Sequence, residues 1–191
     1  MIELEKKILL TKTEYDTLFA ALSQQGKTST QINHYYDTAD LSGDKNGITY
    51  RIREKGTQFQ ATIKKHRWQS VDSNHEISGA VKDAHDTSFF QNPALIYQGT
   101  LTTHRLRIQP YEGLEIVLDK NIYLGHCDYE LEIEYVKDFE DQTLVYLDEL
   151  EKLVDKYTYA PLIERINMEA SKSSRFFFRK SHFATEAQSD I

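Results

Sequence analysis

The sequence predicts an α+β fold in which an eight-stranded antiparallel β-barrel forms a tunnel with a charged lumen, flanked by helices. About eight segments alternate with a period of two, and most of them have one charged or polar face and one apolar face. A flat sheet with a solvated charged face would also fit this alternation. The barrel is favoured because the strands separate by sign of charge and because the amphipathic helices need an apolar surface to cover.

The clearest acidic strand is Asp128–Tyr135, which reads D-Y-E-L-E-I-E-Y. Its period of two places Glu130, Glu132 and Glu134 on one face, about 6.5–7 Å apart. Ionised carboxylates at this spacing repel one another unless water or a positive group lies between them. Neutralising Glu132 is therefore expected to relieve repulsion in the metal-free protein.

On two other strands the charged side chains of one face are a purely basic pair. Arg51 and Arg53 form the first pair, and Arg105 and Arg107 form the second. We expect both pairs to line one cavity, with the glutamate row on the opposite wall. Such a cavity fits a polyanion that divalent cations bridge to the carboxylates, because arginine presents a fork of donors to phosphate and Mg²⁺ prefers carboxylate and phosphate oxygens.

The remaining elements follow from the same patterns. Strands are predicted over Ile2–Leu9, Gln31–Thr38, Ile48–Glu54, Gln58–Lys65, Asn74–Ser78, Leu101–Gln109 and Gly113–Asn121, in addition to the acidic strand. Helices are predicted from Glu14 to about Ser23 with Thr13 as N-cap, weakly over Gly79–Gln91, over Glu140–Lys156 and over Asn167–Phe178. We expect one domain over residues 1–182 and a polar tail over residues 183–191.

Composition narrows the functional classes. The net charge of -7 argues against a general nucleic-acid or anionic-membrane binder. Cys127 is the only cysteine, which excludes an internal disulfide and argues against a cysteine-based zinc site. No signal peptide and no apolar run of 18 residues is recognisable, so a cytoplasmic protein is expected. We also expect a monomer or a homodimer. Trp68 follows a basic run, Lys64 to Arg67, for which a solvated strand end is favoured over nucleic-acid contact.

Standard phosphate and metal motifs are missing. The sequence contains no G-x-x-x-x-G-K-[ST], so phosphate binding is not of the P-loop type, and the seven histidines show no H-E-x-x-H spacing.

An ordered series of motifs resembles the CYTH superfamily, the triphosphate tunnel metalloenzymes. The series begins with Glu3-x-Glu5-x-Lys7 and runs through nearly the whole chain in the order of the family. It continues with Tyr36-Asp37-Thr38, Arg51-Ile-Arg53, Thr62-Ile63-Lys64, Glu76, Arg105-Leu-Arg107, Asp119, Glu130-Leu-Glu132-Ile-Glu134, and Ser171-Lys172 with Arg175.

The resemblance implies a role for each matching residue. The implied metal ligands for Mg²⁺ or Mn²⁺ are Glu3, Glu5, Asp119, Glu130, Glu132 and Glu134, with Glu76 as a supporting carboxylate. The implied phosphate-binding residues are Lys7, Arg51, Arg53, Lys64, Arg105, Arg107, Lys172 and Arg175. Lys7, Arg53 and Glu132 are the implied catalytic residues.

The resemblance also implies an activity. We expect a metal-dependent phosphohydrolase acting on inorganic triphosphate or on a nucleoside or thiamine triphosphate. Two alternatives stay open: an adenylate cyclase of the CYTH type, and a non-catalytic sensor of polyphosphate or of a nucleotide.

Overall fold

A single antiparallel sheet dominates the architecture. The computed structural model describes the backbone of residues 3–65 and 75–189, and the side chains of residues 4–65 and 76–182. Within these residues the strands are β1 Glu3–Leu10, β2 Lys27–Asp37, β3 Ile48–Lys55, β4 Gln58–Lys65, β5 His75–Val81, β6 Ile96–Tyr111, β7 Leu114–Tyr123 and β8 His126–Val136. Their order across the sheet is β1-β8-β7-β6-β2-β3-β4-β5. The predicted eight-stranded antiparallel sheet with flanking helices is confirmed, and its closure into a tunnel stays a prediction.

The helices and the sheet divide between two compact units. The helices are α1 Lys12–Leu22, α2 Ser42–Lys45, α3 Glu140–Val154 and α4 Lys172–Ser189. The first unit contains residues 1–29, 103–122 and 126–170, and the second contains residues 30–102, 123–125 and 171–191. In the described part of the chain, no helix is long and apolar enough to cross a membrane.

The first unit packs α1 and α3 against the apolar faces of its strands. Ile8 of β1, Leu118 of β7 and Leu131 of β8 are fully buried. They join Leu18 of α1 and Leu147 of α3 in one hydrophobic cluster. Because side chains alternate along a strand, this packing sends the charged residues of the same strands to the other face.

The start of α1 differs from the prediction. Its N-cap is Thr11 rather than Thr13: the Glu14 N–H donates to Thr11 Oγ1 at 3.3 Å, and the Thr11 N–H donates to Glu14 Oε2 at 2.7 Å. This reciprocal pair is a capping box, which uses a glutamate or glutamine three residues after the capping threonine. Thr13 has no glutamate at that spacing, so the helix begins two residues earlier.

Glu14 also belongs to a buried ion pair in the first unit. Arg165 Nη1 donates to Glu14 Oε1 at 2.7 Å, and both side chains are almost completely buried. Burial raises the pKa of Glu14, but the hydrogen bonds from Arg165 and Thr11 outweigh it, so the net pKa is lowered. The glutamate therefore stays ionised against Arg165.

The second unit has two aromatic clusters. Tyr35 of β2 lies against Phe176 and Phe177 of α4, with ring centroids 4.7 and 5.6 Å away. Tyr36, on the opposite face of the same strand, packs with Ile52, Ala61 and Phe90. The two tyrosines thus anchor β2 between α4 on one side and the segment that follows β5 on the other.

The helix predicted over Gly79–Gln91 is wrong. Residues 79–81 complete β5, and the remainder contains only the 3₁₀-turn Thr87–Phe90. In the strand, Gly79 packs directly against Phe89, since a Cβ at this position would come within 2.6 Å of the ring. Tertiary packing of this phenylalanine therefore overrides the weak helical pattern.

The last helix begins later and extends further than predicted. Asn167 has a left-handed backbone with φ of 54°, which an α-helix does not contain. α4 starts at Lys172, after Ser171, whose hydroxyl accepts a hydrogen bond from the Ser174 N–H at 3.2 Å. The helix continues to Ser189, past His182, where the polar tail was expected to begin.

Candidate active site

The pairing of β1 with β8 assembles a cluster of acidic side chains in the first unit. The register places Glu5 opposite Glu134 and Lys7 opposite Glu132. Directly opposite residues in an antiparallel pair share a face of the sheet. The two sequence motifs, E-x-E-x-K and E-x-E-x-E, are therefore brought onto one surface by a single strand pairing.

Lys7 lies among carboxylates. Its Nζ is 2.9 Å from Glu5 Oε1 and 3.8 Å from both Glu130 Oε1 and Glu132 Oε1. Glu130 and Glu132 are buried, whereas the side chain of Glu5 is 43% exposed. The ammonium group of Lys7 is therefore a positive charge of the kind expected between glutamates that would otherwise repel one another.

Arg105 binds the acidic row directly. Its Nε and Nη2 donate to Asp119 at 2.8 and 2.6 Å, and Nη2 also donates to Glu132 Oε2 at 2.7 Å. Burial lowers the pKa of Arg105, but its hydrogen bond to Asp119 and the nearby negative charges raise it above the usual value. The expected wall of arginine opposite the glutamates is wrong for this residue, because β7 brings Asp119 between β6 and β8.

Arg107 pairs with a residue that sequence reasoning did not assign to the site. Its Nε lies 3.1 Å from Glu115 Oε1, and its side chain is 44% exposed. Glu115 was recognisable as a same-face neighbour of Asp119 on β7, so its alternation alone could have identified it. Both predicted phosphate-binding arginines of β6 thus contact acids in this structure.

The first unit holds more acids than bases on this face. The acids are Glu5, Glu115, Asp119, Glu130, Glu132 and Glu134, and the bases are Lys7, Arg105 and Arg107. Burial and then the charge of Glu132 raise the pKa of Glu134 to about 7. Arg105 Nη1 lies 4.0 Å from Glu134 Oε1, whereas Arg105 Nη2 lies 2.7 Å from Glu132 Oε2, so the repulsion at Glu134 is less well compensated.

This carboxylate surplus has the donor chemistry of a site for a hard divalent cation. Within the described residues, no three His, Cys, Asp or Glu side chains are arranged as a ready-made metal site. The donor chemistry nevertheless suits Mg²⁺ or Mn²⁺, which favour carboxylate oxygens, and the surplus negative charge matches a cation. The side chain of Glu3, also predicted as a ligand, lies outside the described side chains.

The raised pKa of Glu134 gives a pH-dependent stability prediction. Because the folded pKa exceeds the ordinary value of 4.5, parent stability should fall as pH rises from about 4.5 through about 7. We expect Glu134→Gln to raise the free energy of unfolding at pH 8 by about 1–2 kcal/mol in chelator, after allowance for solvent screening. At pH 4 the gain should vanish, and denaturant unfolding at both pH values measures it.

The control for this prediction is Glu169→Gln. Glu169 is exposed, so its replacement removes the same charge without touching the acidic row. An equal gain for both variants at pH 8 would attribute the effect to net charge and contradict local repulsion.

A separate cluster of basic side chains is built on β2, β3 and β4 of the second unit. Arg53 Nε donates to Asn33 Oδ1 at 3.0 Å, and Asn33 is almost fully buried. Arg51 Nη2 donates to Thr62 Oγ1 at 3.4 Å and lies 3.8 Å from Glu76 Oε1. Neutral side chains therefore help to orient both arginines.

Arg51 carries a buried donor that the described residues do not satisfy. Its Nε is buried and has no acceptor among them. An unsatisfied buried donor costs about 1–3 kcal/mol. An anionic oxygen entering this site would recover that energy, which is consistent with the predicted phosphate contact.

Further charges of the second unit surround the same strands. Lys64 on β4 stands opposite Glu76 on β5 in the register, and the Glu76 side chain is 44% exposed. Tyr35 is buried, which raises its pKa. The charges of four cations oppose this shift, namely Arg51, Arg53, Lys172 and Arg175. The first turn of α4 therefore adds its two predicted basic residues to the field around the arginine pair.

A family model for the CYTH domain matches residues 1–153 of the chain. The chain belongs to the CYTH family. The matched range contains the glutamate row and both arginine pairs. Lys172 and Arg175 lie beyond it, in α4.

This CYTH chain is similar to three proteins in sequence or in structure. It is 34% identical over 147 residues to the Bacillus subtilis (strain 168) protein named "Putative triphosphatase YjbK", covering 70% of this chain and 77% of that protein. A Bacillus halodurans crystal structure named "putative adenylate cyclase" shares 27% identity, with a TM-score of 0.66 and coverage of 92% and 97%. HpAC1 from Hippeastrum shares 20% identity, a TM-score of 0.64 and coverage of 92% and 95%, and supports the fold alone.

Buried amides and hydroxyls of this CYTH chain were missed by sequence reasoning. In the first unit, Thr103 Oγ1 donates to Asn121 Oδ1 at 2.8 Å, and Asn121 Nδ2 donates to Asp128 Oδ1 at 2.9 Å. Alternation places these residues on the same strand faces as the charged side chains. Nothing in the sequence indicated that polar residues on those faces would be buried. Trp68 and the end of the basic run before it, His66 and Arg67, lie outside the described residues. Cys127 is partly buried, and no chemistry is assigned to it.

Proposed function

We propose that this CYTH chain is a divalent-metal-dependent triphosphatase that hydrolyses inorganic triphosphate or a nucleoside or thiamine triphosphate. The observation that carries the proposal is the surplus of buried carboxylates around Lys7 and Arg105. A protein that only bound phosphate would gain nothing from these acids, since they repel the ligand unless a cation lies between. The similarity to a relative that carries the name of a triphosphatase supports the same reaction class.

In this proposal the basic residues bind and orient the phosphate chain. Arg51 and Arg53 present guanidinium donors to phosphate oxygens, with Asn33 and Thr62 fixing their orientation. We assign the same role to Lys64, Lys172, Arg175, Arg105 and Arg107. Lys7 offers a point charge that stabilises negative charge on the transferring phosphoryl group.

Glu130, Glu132 and Glu134 would hold the metal, with Glu3, Glu5 and Asp119 as further oxygen ligands and Glu76 in support. When bound, Mg²⁺ or Mn²⁺ supplies charge neutralisation of the phosphates and an activated water for in-line attack. Glu132 keeps Arg105 and Lys7 beside the site through its two oxygens, at 2.7 and 3.8 Å. Glu134, whose pKa is about 7, can give up a proton at neutral pH.

A second candidate is an adenylate cyclase, favoured by the name of the Bacillus halodurans relative. The two reactions differ in the attacking group. Water attacks the terminal phosphorus in the hydrolase, whereas the ribose 3′-hydroxyl attacks the α-phosphorus in the cyclase. Orthophosphate marks the first reaction, and cyclic AMP with pyrophosphate marks the second.

The test is a product assay on tripolyphosphate, ATP, GTP and thiamine triphosphate with Mg²⁺ or Mn²⁺. We expect orthophosphate from at least one substrate and its loss in excess chelator. Cyclic AMP as the main product from ATP would replace the proposal by the cyclase. Tight calorimetric binding of tripolyphosphate without turnover of any substrate would replace it by the sensor.

A further inference from the structure

The outer edge of β1 is occupied beside the candidate catalytic lysine. β1 is the terminal strand in the sheet order, so one of its edges does not pair with β8. An exposed strand edge presents unpaired N–H and C=O groups. In the first unit, residues 162–167 lie along this edge and contact β1 at Lys7 and Leu9.

Asn167 satisfies both backbone groups of Lys7. The Lys7 N–H donates to Asn167 Oδ1 at 2.9 Å, and the Asn167 N–H donates to the Lys7 carbonyl at 2.7 Å. One residue therefore reproduces the two hydrogen bonds that a neighbouring strand would supply. The contact spans 160 positions of the chain, so local sequence does not impose it.

The backbone of Asn167 suits this role. Its φ of 54° lies in the left-handed region, which asparagine tolerates better than most residues other than glycine. Glycine would tolerate the same backbone but has no side-chain oxygen for the Lys7 N–H. Asparagine combines the backbone conformation with the acceptor.

The direction of these bonds determines how Lys7 faces β8. The backbone N–H and C=O of Lys7 both point to Asn167 and therefore away from β8. Lys7 and Glu132 are consequently a non-hydrogen-bonded pair in the β1–β8 ladder. Opposite side chains approach most closely in pairs of this kind. The contact with Asn167 thus fixes the strand position at which the Lys7 ammonium lies 3.8 Å from Glu130 and Glu132.

We propose that Asn167 is a positioning residue for Lys7: it clamps the outer edge of β1 and thereby holds the Lys7 ammonium among the buried carboxylates. This inference rests on the proposed triphosphatase function for its catalytic consequence. Asn167 lies beyond residues 1–153, the range matched by the CYTH family model. The segment after α3 therefore contributes to the position of Lys7, which lies inside the matched range.

The segment has an anchor of its own, which makes the proposal testable without unfolding. Arg165 pairs with Glu14 of α1 at 2.7 Å, and its Nη2 donates to the Leu9 carbonyl. Asn167 itself is exposed, so removing its side chain leaves no cavity. A variant lacking only the Asn167 amide should keep the segment in place.

The decisive variants are Asn167→Gly and Asn167→Asp. Glycine keeps the left-handed backbone and loses the acceptor, whereas aspartate keeps an oxygen acceptor for the Lys7 N–H. We expect Asn167→Gly to lower kcat for tripolyphosphate about tenfold with KM changed less than about threefold, because misplacement of a catalytic group affects the chemical step. Asn167→Asp should restore most of kcat. Met168→Ala, at an exposed neighbouring position, serves as the matched control and should match the parent.

Hydrogen exchange of the Lys7 amide supplies a readout that does not depend on activity. Asn167→Gly should accelerate exchange at Lys7 but not at Ile8, whose amide belongs to the β1–β8 ladder by alternation. Unchanged exchange at Lys7 would overturn the proposal whatever the activity. Faster exchange with unchanged kcat would also overturn it, because Lys7 would then not depend on the clamp. A parent that hydrolyses no triphosphate would overturn the proposed function, while exchange would still decide whether Asn167 holds Lys7.

Discussion

Replacing Arg105 by methionine is expected to lower the free energy of unfolding by about 3–5 kcal/mol. The substitution keeps side-chain bulk but removes the partner of Asp119, which is fully buried, and of Glu132, which is 5% exposed. Two carboxylates would be left in a low-dielectric environment beside Glu134. Denaturant unfolding of the metal-free protein at pH 8 measures the loss.

Arg107→Met is the matched control on the same strand. Arg107 is 44% exposed and its Nε lies 3.1 Å from Glu115 Oε1, so its loss should cost about 0–1 kcal/mol. If Arg105→Met proves too unstable to study, Arg105→Lys keeps the charge and should lose less. Equal costs for the methionine variants at positions 105 and 107 would contradict the assignment of Arg105 as the main partner of the buried acids.

The contacts also change which glutamate is expected to respond to neutralisation. The sequence suggested that neutralising Glu132 would relieve repulsion in the metal-free protein. Glu132 instead accepts a hydrogen bond from Arg105 at 2.7 Å. Glu134 lies 4.0 Å from the nearest nitrogen of Arg105 and has a pKa of about 7. We therefore expect stabilisation from Glu134→Gln and destabilisation from Glu132→Gln, because only the former removes a poorly compensated charge.

Much of the sheet could be predicted because its information is local. Alternation with a period of two places Glu130 and Glu134 on one face irrespective of the rest of the fold. Their partners could not be predicted in this way. Arg105 meets Glu132 only because β7 lies between β6 and β8 in the sheet and contributes Asp119, and this order is set by long-range pairing.

The ends of the helices and the contacts that position Lys7 also depend on interactions that local sequence patterns do not show. Thr11 and Thr13 are both plausible caps, and the choice depended on the glutamate at the third position of the helix. Asn167 was assigned to a helix because its neighbours suit one, but its left-handed backbone and its bonds to Lys7 depend on a strand 160 residues away. Hydrogen bonds between distant segments leave no periodic trace in the sequence.

The arginine pair of the second unit gives the sharpest test of enzyme against sensor. We expect Arg53→Lys to lower kcat for tripolyphosphate about 100-fold in Mg²⁺, while affinity for a non-hydrolysable analogue falls only a few-fold. Lysine keeps the charge but lacks the planar fork, and it cannot reproduce the Nε–H bond to Asn33 at 3.0 Å that sets the plane of the guanidinium. The orientation of the bound phosphate chain should therefore be impaired more than its affinity for the protein.

Steady-state hydrolysis and calorimetric binding, performed on the same preparations, separate these two losses. Lys55→Arg at the exposed end of β3 is the matched control, and both of its values should stay within about twofold of the parent because an exposed charge is retained. A sensor has no transition state to orient, so in that case Arg53→Lys would shift affinity modestly and there would be no turnover to lose. Equal losses of kcat/KM and of affinity would mean that Arg53 contributes only uniform binding, and its assignment as a catalytic residue would then be wrong.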